Sequence, residues 1–330
     1  MNKRVLRKTS EKRRLLSQMN KKGFEFGFGW LFAIIVGAAI IFIAIYATVQ
    51  LVNLNKDIQN TEAAYELNSL LTSVTTNLDS QKESRIFFNT ETRMYNECDN
   101  IGSFGHQAVS VSIKSGIGKE WQDPAEQARS YTKYIFSSKV EEGKELRMFV
   151  VPFNLPFKIA DLIIAWNENK NYCFVDASED LKNDLEILNS ENFNFTDDVE
   201  ECKKDSKKVC FYNADGCDII VEENRVRKDR KSLYYIDNLI YGAIFSDPEI
   251  YECQVKRLMK RASSLSLLYI DKTRMLAIRG CSSTLEPELT SFSNQAMRLN
   301  SSIELNGIIQ VAQEMEDKND LLLCNLWGEK

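Results

Sequence analysis

From Phe26 to Val49 the chain reads FGFGWLFAIIVGAAIIFIAIYATV, 24 residues without a charge, directly behind a tail crowded with lysine and arginine. A helix needs roughly 20 apolar residues to cross about 30 Å of hydrocarbon, so the run spans a bilayer once by length alone. The Leu, Ile, Phe and Val side chains between Trp30 and Val49 favour insertion by about 5 kcal/mol together, and no charge opposes them. The competing reading is a cleavable secretory signal, whose apolar part is usually about 7 to 15 residues long and ends in a small-x-small site. This run is longer, and its exit, Tyr46-Ala47-Thr48-Val49-Gln50, has no clean site of that kind. Gly27, Gly29 and Gly37 do not form the sustained small-xxx-small face that drives helix pairing in lipid.

The total charge of −5 conceals an asymmetry: residues 1–53 hold nine basic and two acidic side chains, net +7, which leaves −12 for the remainder. Positive flanks of a span stay on the cytoplasmic side, so the tail is expected inside and everything beyond Asn53 outside. An acidic exterior part argues against nucleic acid as a partner, because phosphate binding needs a basic stripe. The tail suits anionic lipid. The bilayer, a second copy of the chain or other envelope proteins are the remaining expected partners.

All eight cysteines, Cys98, Cys173, Cys202, Cys210, Cys217, Cys253, Cys281 and Cys324, fall on the side assigned to the exterior. That placement predicts disulfides in an oxidising compartment. Eight cysteines permit 105 connectivities, and sequence selects none of them. Zinc would call for close pairs such as C-x2-C, whereas the nearest spacings are Cys202 to Cys210 and Cys210 to Cys217.

Taken in order, the chain divides into a basic cytoplasmic tail (1–23), the transmembrane helix (24–53), an amphipathic stalk helix (54–83), a β-rich exterior domain (84–246) and a helical exterior subdomain (247–330). The stalk rests on Leu67, Leu70, Leu71, Val74 and Leu78, which recur on one helical stripe. Short strands are expected over 85–94, 107–113, 131–136, 145–151, 159–166, 172–175, 208–212, 218–221 and 232–236. Asp215-Gly216 predicts a hairpin holding Cys210 and Cys217 on facing strands. Ser178 opens a helix carrying Leu181, Leu185 and Leu188. Beyond Ser246, Asp247-Pro248-Glu249 starts a helix with Tyr251, Val255, Leu258, Ala262, Leu265 and Tyr269 on one face. A second helix carries Leu285, Leu289, Phe292, Ala296 and Leu299, and a third opens on a capping box, Ser301 to Glu304. The fold class is α+β.

At the end of the tail, Lys21-Lys22-Gly23 precedes Phe24-Glu25 and the apolar run. This stretch resembles the class III signal peptides of archaeal type IV pilin-like proteins, in which a peptidase cuts after a basic residue plus glycine and the apolar helix remains for assembly. The resemblance implies a processing site at Lys22, Gly23 and Phe24, with cleavage after Gly23. In the bacterial relatives a glutamate stands fifth after the cut; here Phe28 is fifth and Glu25 second. The Phe- and Gly-rich start of the span, the cysteine-bearing exterior and the Cys324 to Trp327 end are also similar to uncharacterised single-span archaeal membrane proteins.

Catalytic patterns are sparse. The lone histidine, His106, lies in a glycine-containing loop with no G-x-S-x-G to serve, and reads as a turn residue. Ser115-Gly-Ile-Gly-Lys119 departs from a phosphate loop, since Ile113 stands where that motif needs glycine and Glu120 where it needs Ser or Thr. Asp197, Asp198, Glu200 and Glu201 lack the ligand alternation of a calcium loop and read as a solvated stretch. Asn194 and Asn300 head N-glycosylation patterns. The expectation is a single-pass envelope protein, N-terminus inside, with a structural, binding or assembly role, no cofactor or metal and no enzymatic activity. The alternatives are a pilin-like subunit processed after Gly23 and a membrane-tethered hydrolase using carboxylates.

Overall fold

A computed structural model describes residues 28–51, 82–115, 120–124, 126–212 and 215–328. The chain falls into two compact units, Met1–Lys56 and Asp57–Lys330. In the first, helix α1 runs Phe28–Leu51 with no protein burying its apolar window. The Thr48 hydroxyl donates back to the Ala44 carbonyl at 2.8 Å, so this polar side chain is satisfied inside the helix. The basic tail, the processing residues Lys22, Gly23 and Phe24, and the stalk stripe from Leu67 to Leu78 lie outside the described residues.

The second unit is mixed α+β and holds two sheets. The first contains β1 (Ser84–Asp99), β2 (His106–Ser115), β3 (Glu120–Trp121), β4 (Ala128–Ser130), β5 (Tyr134–Phe136), β6 (Val140–Asn154) and β7 (Lys158–Asn167). Its order is β3-β2-β1-β6-β7-β5, with β4 beside β2. Laid flat, the path from β4 to β5 would cover roughly 24 Å at about 4.8 Å per strand. Only Tyr131, Thr132 and Lys133 join those two strands, and such a link reaches at most about 14 Å. The sheet must therefore curl until its ends meet.

Strand alternation then gives this sheet two apolar faces. Met148 pairs with Ala165 and Val150 with Ile163 across β6 and β7. These side chains join Met94, Val109, Val111, Ala128, Ile135 and Leu146 inside the curl. The intervening residues, Phe149, Ile164 and Trp166, face the main core.

The second sheet has the order β13-β12-β11-β10-β8-β9. It comprises β8 (Asn171–Val175), β9 (Phe193–Thr196), β10 (Ser206–Cys210), β11 (Ile219–Glu222), β12 (Arg225–Lys228) and β13 (Lys231–Tyr234). Helix α2 (Glu179–Glu186) connects β8 to β9, and α3 (Leu239–Phe245) follows β13. Phe245 of α3 gathers rings from both sheets, with Tyr172 at 4.6 Å, Trp166 at 5.6 Å, Phe193 at 5.6 Å and Phe149 at 6.0 Å between centroids. The chain ends in α4 (Pro248–Ile278), α5 (Glu286–Arg298) and α6 (Leu305–Asp320). Their apolar faces share one continuous core with the strands.

Several local expectations are corrected. The Asp215-Gly216 hairpin does not form: β10 and β11 run parallel, pairing Val209 with Ile219 and Cys210 with Ile220. Gly216 does adopt φ +88°, but the turn returns the chain to the start of the sheet rather than folding it back alongside β10. The expected strand 131–136 shortens to β5, because Tyr131, Thr132 and Lys133 form the link from β4 that turns the corner closing the curl. Ser301 makes no capping hydrogen bond; a 3-10 turn, Ser302–Glu304, precedes α6 instead. Asp247 stands at the N-cap of α4, yet its carboxylate accepts from the Lys139 N–H at 2.8 Å rather than from its own helix. Strands β3, β4, β9 and β12 and helix α3 lie outside the expected elements; each is short, and α3 is apolar on nearly every side, which leaves no periodic signal.

Candidate functional site

One face of α4 carries the polar residues Cys253, Gln254, Arg257, Lys260 and Arg261 at helical spacing, and all of them grip the curled sheet or its loops. Cys253 is bonded to Cys98 near the end of β1. Among the described residues the fully buried Arg257 forms no salt bridge: its Nη1 donates to the Lys133 carbonyl at 2.9 Å and to Gln254 Oε1 at 2.8 Å. Its Nη2 donates to the carbonyls of Tyr131 at 3.2 Å and Ser130 at 3.4 Å, and its Nε to that of Phe104 at 3.3 Å. The guanidinium also lies 4.8 Å from the Tyr134 ring centroid. Burial nevertheless lowers its pKa to about 10, opposed by Tyr134 and Asp99.

From Arg257 the polar chain continues through Gln254 to Gln107 of β2 and on to Asn96 of β1. Asn96 Nδ2 ends it on Ser137 Oγ at 2.8 Å. Lys260 holds the 100–105 loop by donating to the carbonyls of Asn100 and Gly102, and Arg261 donates to the Ile159 carbonyl at 2.7 Å. In that loop Gly105 sits at φ +58°, where a Cβ would come within 2.2 Å of the Asp99 carbonyl oxygen. Only glycine fits there. This array fastens the seam of the curled sheet as a clamp.

A cleft of about 400 Å³ lies where β10, β11 and β12 meet the end of α3. Lys228 of β12 is buried beside it and donates Nζ to the carbonyls of Ile244, at 2.9 Å, and Ser246. Burial, reinforced by Lys207, lowers the Lys228 pKa to about 7, against the pull of Asp247 and Asp229. A neutral amine near pH 7 is the raw material of nucleophilic catalysis. Here both hydrogen bonds go to the carbonyl end of α3, where the amine serves as a donor to carbonyls that the helix leaves unpaired. Two of the cleft's carboxylates are committed as well, Asp218 to the Lys208 N–H at 2.8 Å and Asp247 to that of Lys139.

A pH dependence follows from Lys228. Between pH 7 and its ordinary value of 10.5, the unfolded chain carries a proton that the folded one has lost. Its contribution therefore makes folding more favourable as pH rises through that window, and is flat below pH 7. Melting curves across the window are expected to show a smaller rise for Lys228→Met than for the parent; equal slopes would contradict the assignment.

The eight cysteines form four bridges, Cys98–Cys253, Cys173–Cys202, Cys210–Cys217 and Cys281–Cys324. His106 opens β2, with Nδ1 3.9 Å from Asp99 Oδ2 and its ring 6.1 Å from that of Tyr131. Asp197, Asp198, Glu200 and Glu201 are exposed, and Asp198 accepts from the Glu200 N–H at 2.9 Å to cap the 3-10 turn Val199–Glu201. Among the described residues no group of acidic, histidine or cysteine side chains is arranged to hold a metal ion. Asn194 is exposed on β9. Asn300 is exposed too, but the hydroxyl of its partner Ser302 is buried, donating to Glu252 Oε1 at 2.6 Å and accepting from the Tyr234 N–H at 3.0 Å.

The clamp was legible only in part. Cys253, Gln254, Arg257, Lys260 and Arg261 recur like a helix face, yet a polar face normally means solvent, and nothing local marks it as buried. No protein-family model matches the chain, and neither does any curated protein or solved structure.

Proposed function

We propose that this chain is a single-pass membrane protein of the cell envelope, its tail in the cytoplasm and its disulfide-braced α+β unit outside, acting there by binding or assembly rather than by catalysis. The observation that carries this reading is α1, long enough to cross a bilayer and without protein cover for its apolar side chains. In water those side chains would form a contiguous apolar surface of the kind that marks lipid or partner contact. The four bridges add the compartment, because disulfides persist where the surroundings oxidise. The net +7 before residue 54 adds the orientation.

Protease added to intact cells is expected to cut the larger unit while sparing a small membrane-held fragment. Deleting 30–49 is expected to move the protein into the soluble fraction. Full protection from external protease, or retention of the deletion variant in membranes, would sink the topology. The pilin-like reading stays beside it, on the strength of Lys22-Gly23-Phe24 standing just ahead of α1. Its test is the mass of the mature N-terminus: a chain beginning at Phe24 supports it, and one beginning at Met1 removes it.

A further inference from the structure

The two N-x-Ser/Thr patterns, Asn194-Phe195-Thr196 and Asn300-Ser301-Ser302, meet different surroundings in the fold. Transfer of a glycan to asparagine uses its amide nitrogen and is recognised through the hydroxyl two residues on, so both groups must be within reach. At Asn300 the second is not. Ser302 is fully buried and its N–H donates to Glu252 Oε2 at 2.9 Å. Its hydroxyl lies between Glu252 Oε1 and the Tyr234 N–H, so presenting it to an enzyme would strip partners from a carboxylate and from a strand.

At Asn194 both groups are open. The residue is exposed, and among the described residues its amide nitrogen makes one weak contact, 3.7 Å from Cys173 Sγ. The Thr196 hydroxyl bonds only to surface groups, Glu201 and the backbone of Asp198, where water replaces a lost partner. The strand can also peel away from the sheet. β9 is four residues long and stands last in its sheet, with β8 on one side and no strand described on the other.

That edge is unguarded. A terminal strand offers unpaired N–H and C=O groups to another chain, and proteins blunt such edges with lysine, proline or a covering segment. β13, at the opposite end of the sheet, carries Lys231 and gives its Tyr234 N–H to Ser302. β9 reads Phe-Asn-Phe-Thr, with neither charge nor proline, and both of its phenylalanines are only half-buried.

We propose that Asn194, and not Asn300, carries an N-linked glycan that shields the free edge of β9 from pairing with other chains. The donor is a sugar carried on a polyprenyl phosphate. The Asn194 amide nitrogen bonds to the anomeric carbon, the anomeric C–O bond breaks, the lipid phosphate leaves with that electron pair, and the amide gives up one proton. A bulky, hydrophilic chain rooted on the edge strand itself obstructs the approach of a second strand. The proposal rests on the exterior reading of the Asp57–Lys330 unit.

The test is peptide mass spectrometry on the full chain purified from the membranes of its own cells. After reduction and trypsin, peptide 183–203 is expected to carry a series of sugar mass increments, and peptide 299–318 its unmodified mass. Thr196→Val is expected to abolish the increments although Asn194 is intact, whereas Thr196→Ser keeps them. Asn194→Gln is expected to abolish them too and to raise the share of self-associated protein in sedimentation. An unmodified 183–203 in a chain that external protease cuts overturns the glycan and leaves the exterior reading standing. An unmodified 183–203 in a chain protected from that protease overturns both. Increments on 299–318 would overturn the selectivity, since burial of the Ser302 hydroxyl would then decide nothing.

Discussion

Replacing Cys98 and Cys253 together by alanine is expected to cost about 5 kcal/mol, the largest loss among the four bridges. The bond joins residues 155 apart, and loop-closure entropy in the unfolded chain grows with the logarithm of that separation. Cys210–Cys217 spans 7 residues, and the same argument gives about 2 kcal/mol for its removal. Cys173–Cys202 and Cys281–Cys324, at 29 and 43 residues, fall between. Location strengthens the ranking. The long bridge fastens β1 to α4 beside the seam of the curled sheet, whereas Cys210–Cys217 ties only the turn between β10 and β11. Denaturant midpoints for the four double variants at equal slope measure this directly. A Cys210→Ala/Cys217→Ala protein as damaged as Cys98→Ala/Cys253→Ala would refute the ordering.

Arg257→Met is expected to destabilise the exterior unit by about 4 kcal/mol. Methionine nearly fills the space and removes the charge, whose burial is itself costly, as the pKa of about 10 records. It also strips the guanidinium from the carbonyls of Phe104, Ser130, Tyr131 and Lys133, and from Gln254. Those carbonyls belong to the loop and link that close the curled sheet, so unpaired oxygens there outweigh the charge that is lost. Arg257→Lys is expected to recover only part of the loss, since an ammonium is a point donor and cannot serve carbonyls spread across a planar fork. Protease nicking in the 100–105 and 131–133 segments should rise in both variants. A Met variant as stable as the parent would mean that the clamp carries no load.

Segments with a strong, regular period could be read without tertiary information. Val109, Val111 and Ile113 alternate, and β2 covers them. Tyr251, Val255, Leu258 and Ala262 recur at helical spacing, and α4 buries all four. Short or doubly buried elements could not be read this way. Helix α3, LIYGAIF, is apolar on nearly every side because both sheets pack on it, and β9 lies next to a run of acids whose charge masks it. The Asp215-Gly216 turn shows the limit of local chemistry: positive φ at Gly216 was foreseeable, but whether the next strand runs back or forward depends on which neighbour already occupies the sheet edge.

By itself the sequence determined that an uncharged helix with a basic flank stands ahead of a cysteine-rich α+β part, since hydrocarbon thickness, charge and residue periodicity are local quantities. Which cysteine meets which, and that a polar face of α4 turns inward to clasp the curled sheet, were decided only by the tertiary structure. Each of those depends on distances between residues far apart in the chain, and such distances exist only once the sheet has curled and the helices have packed against it.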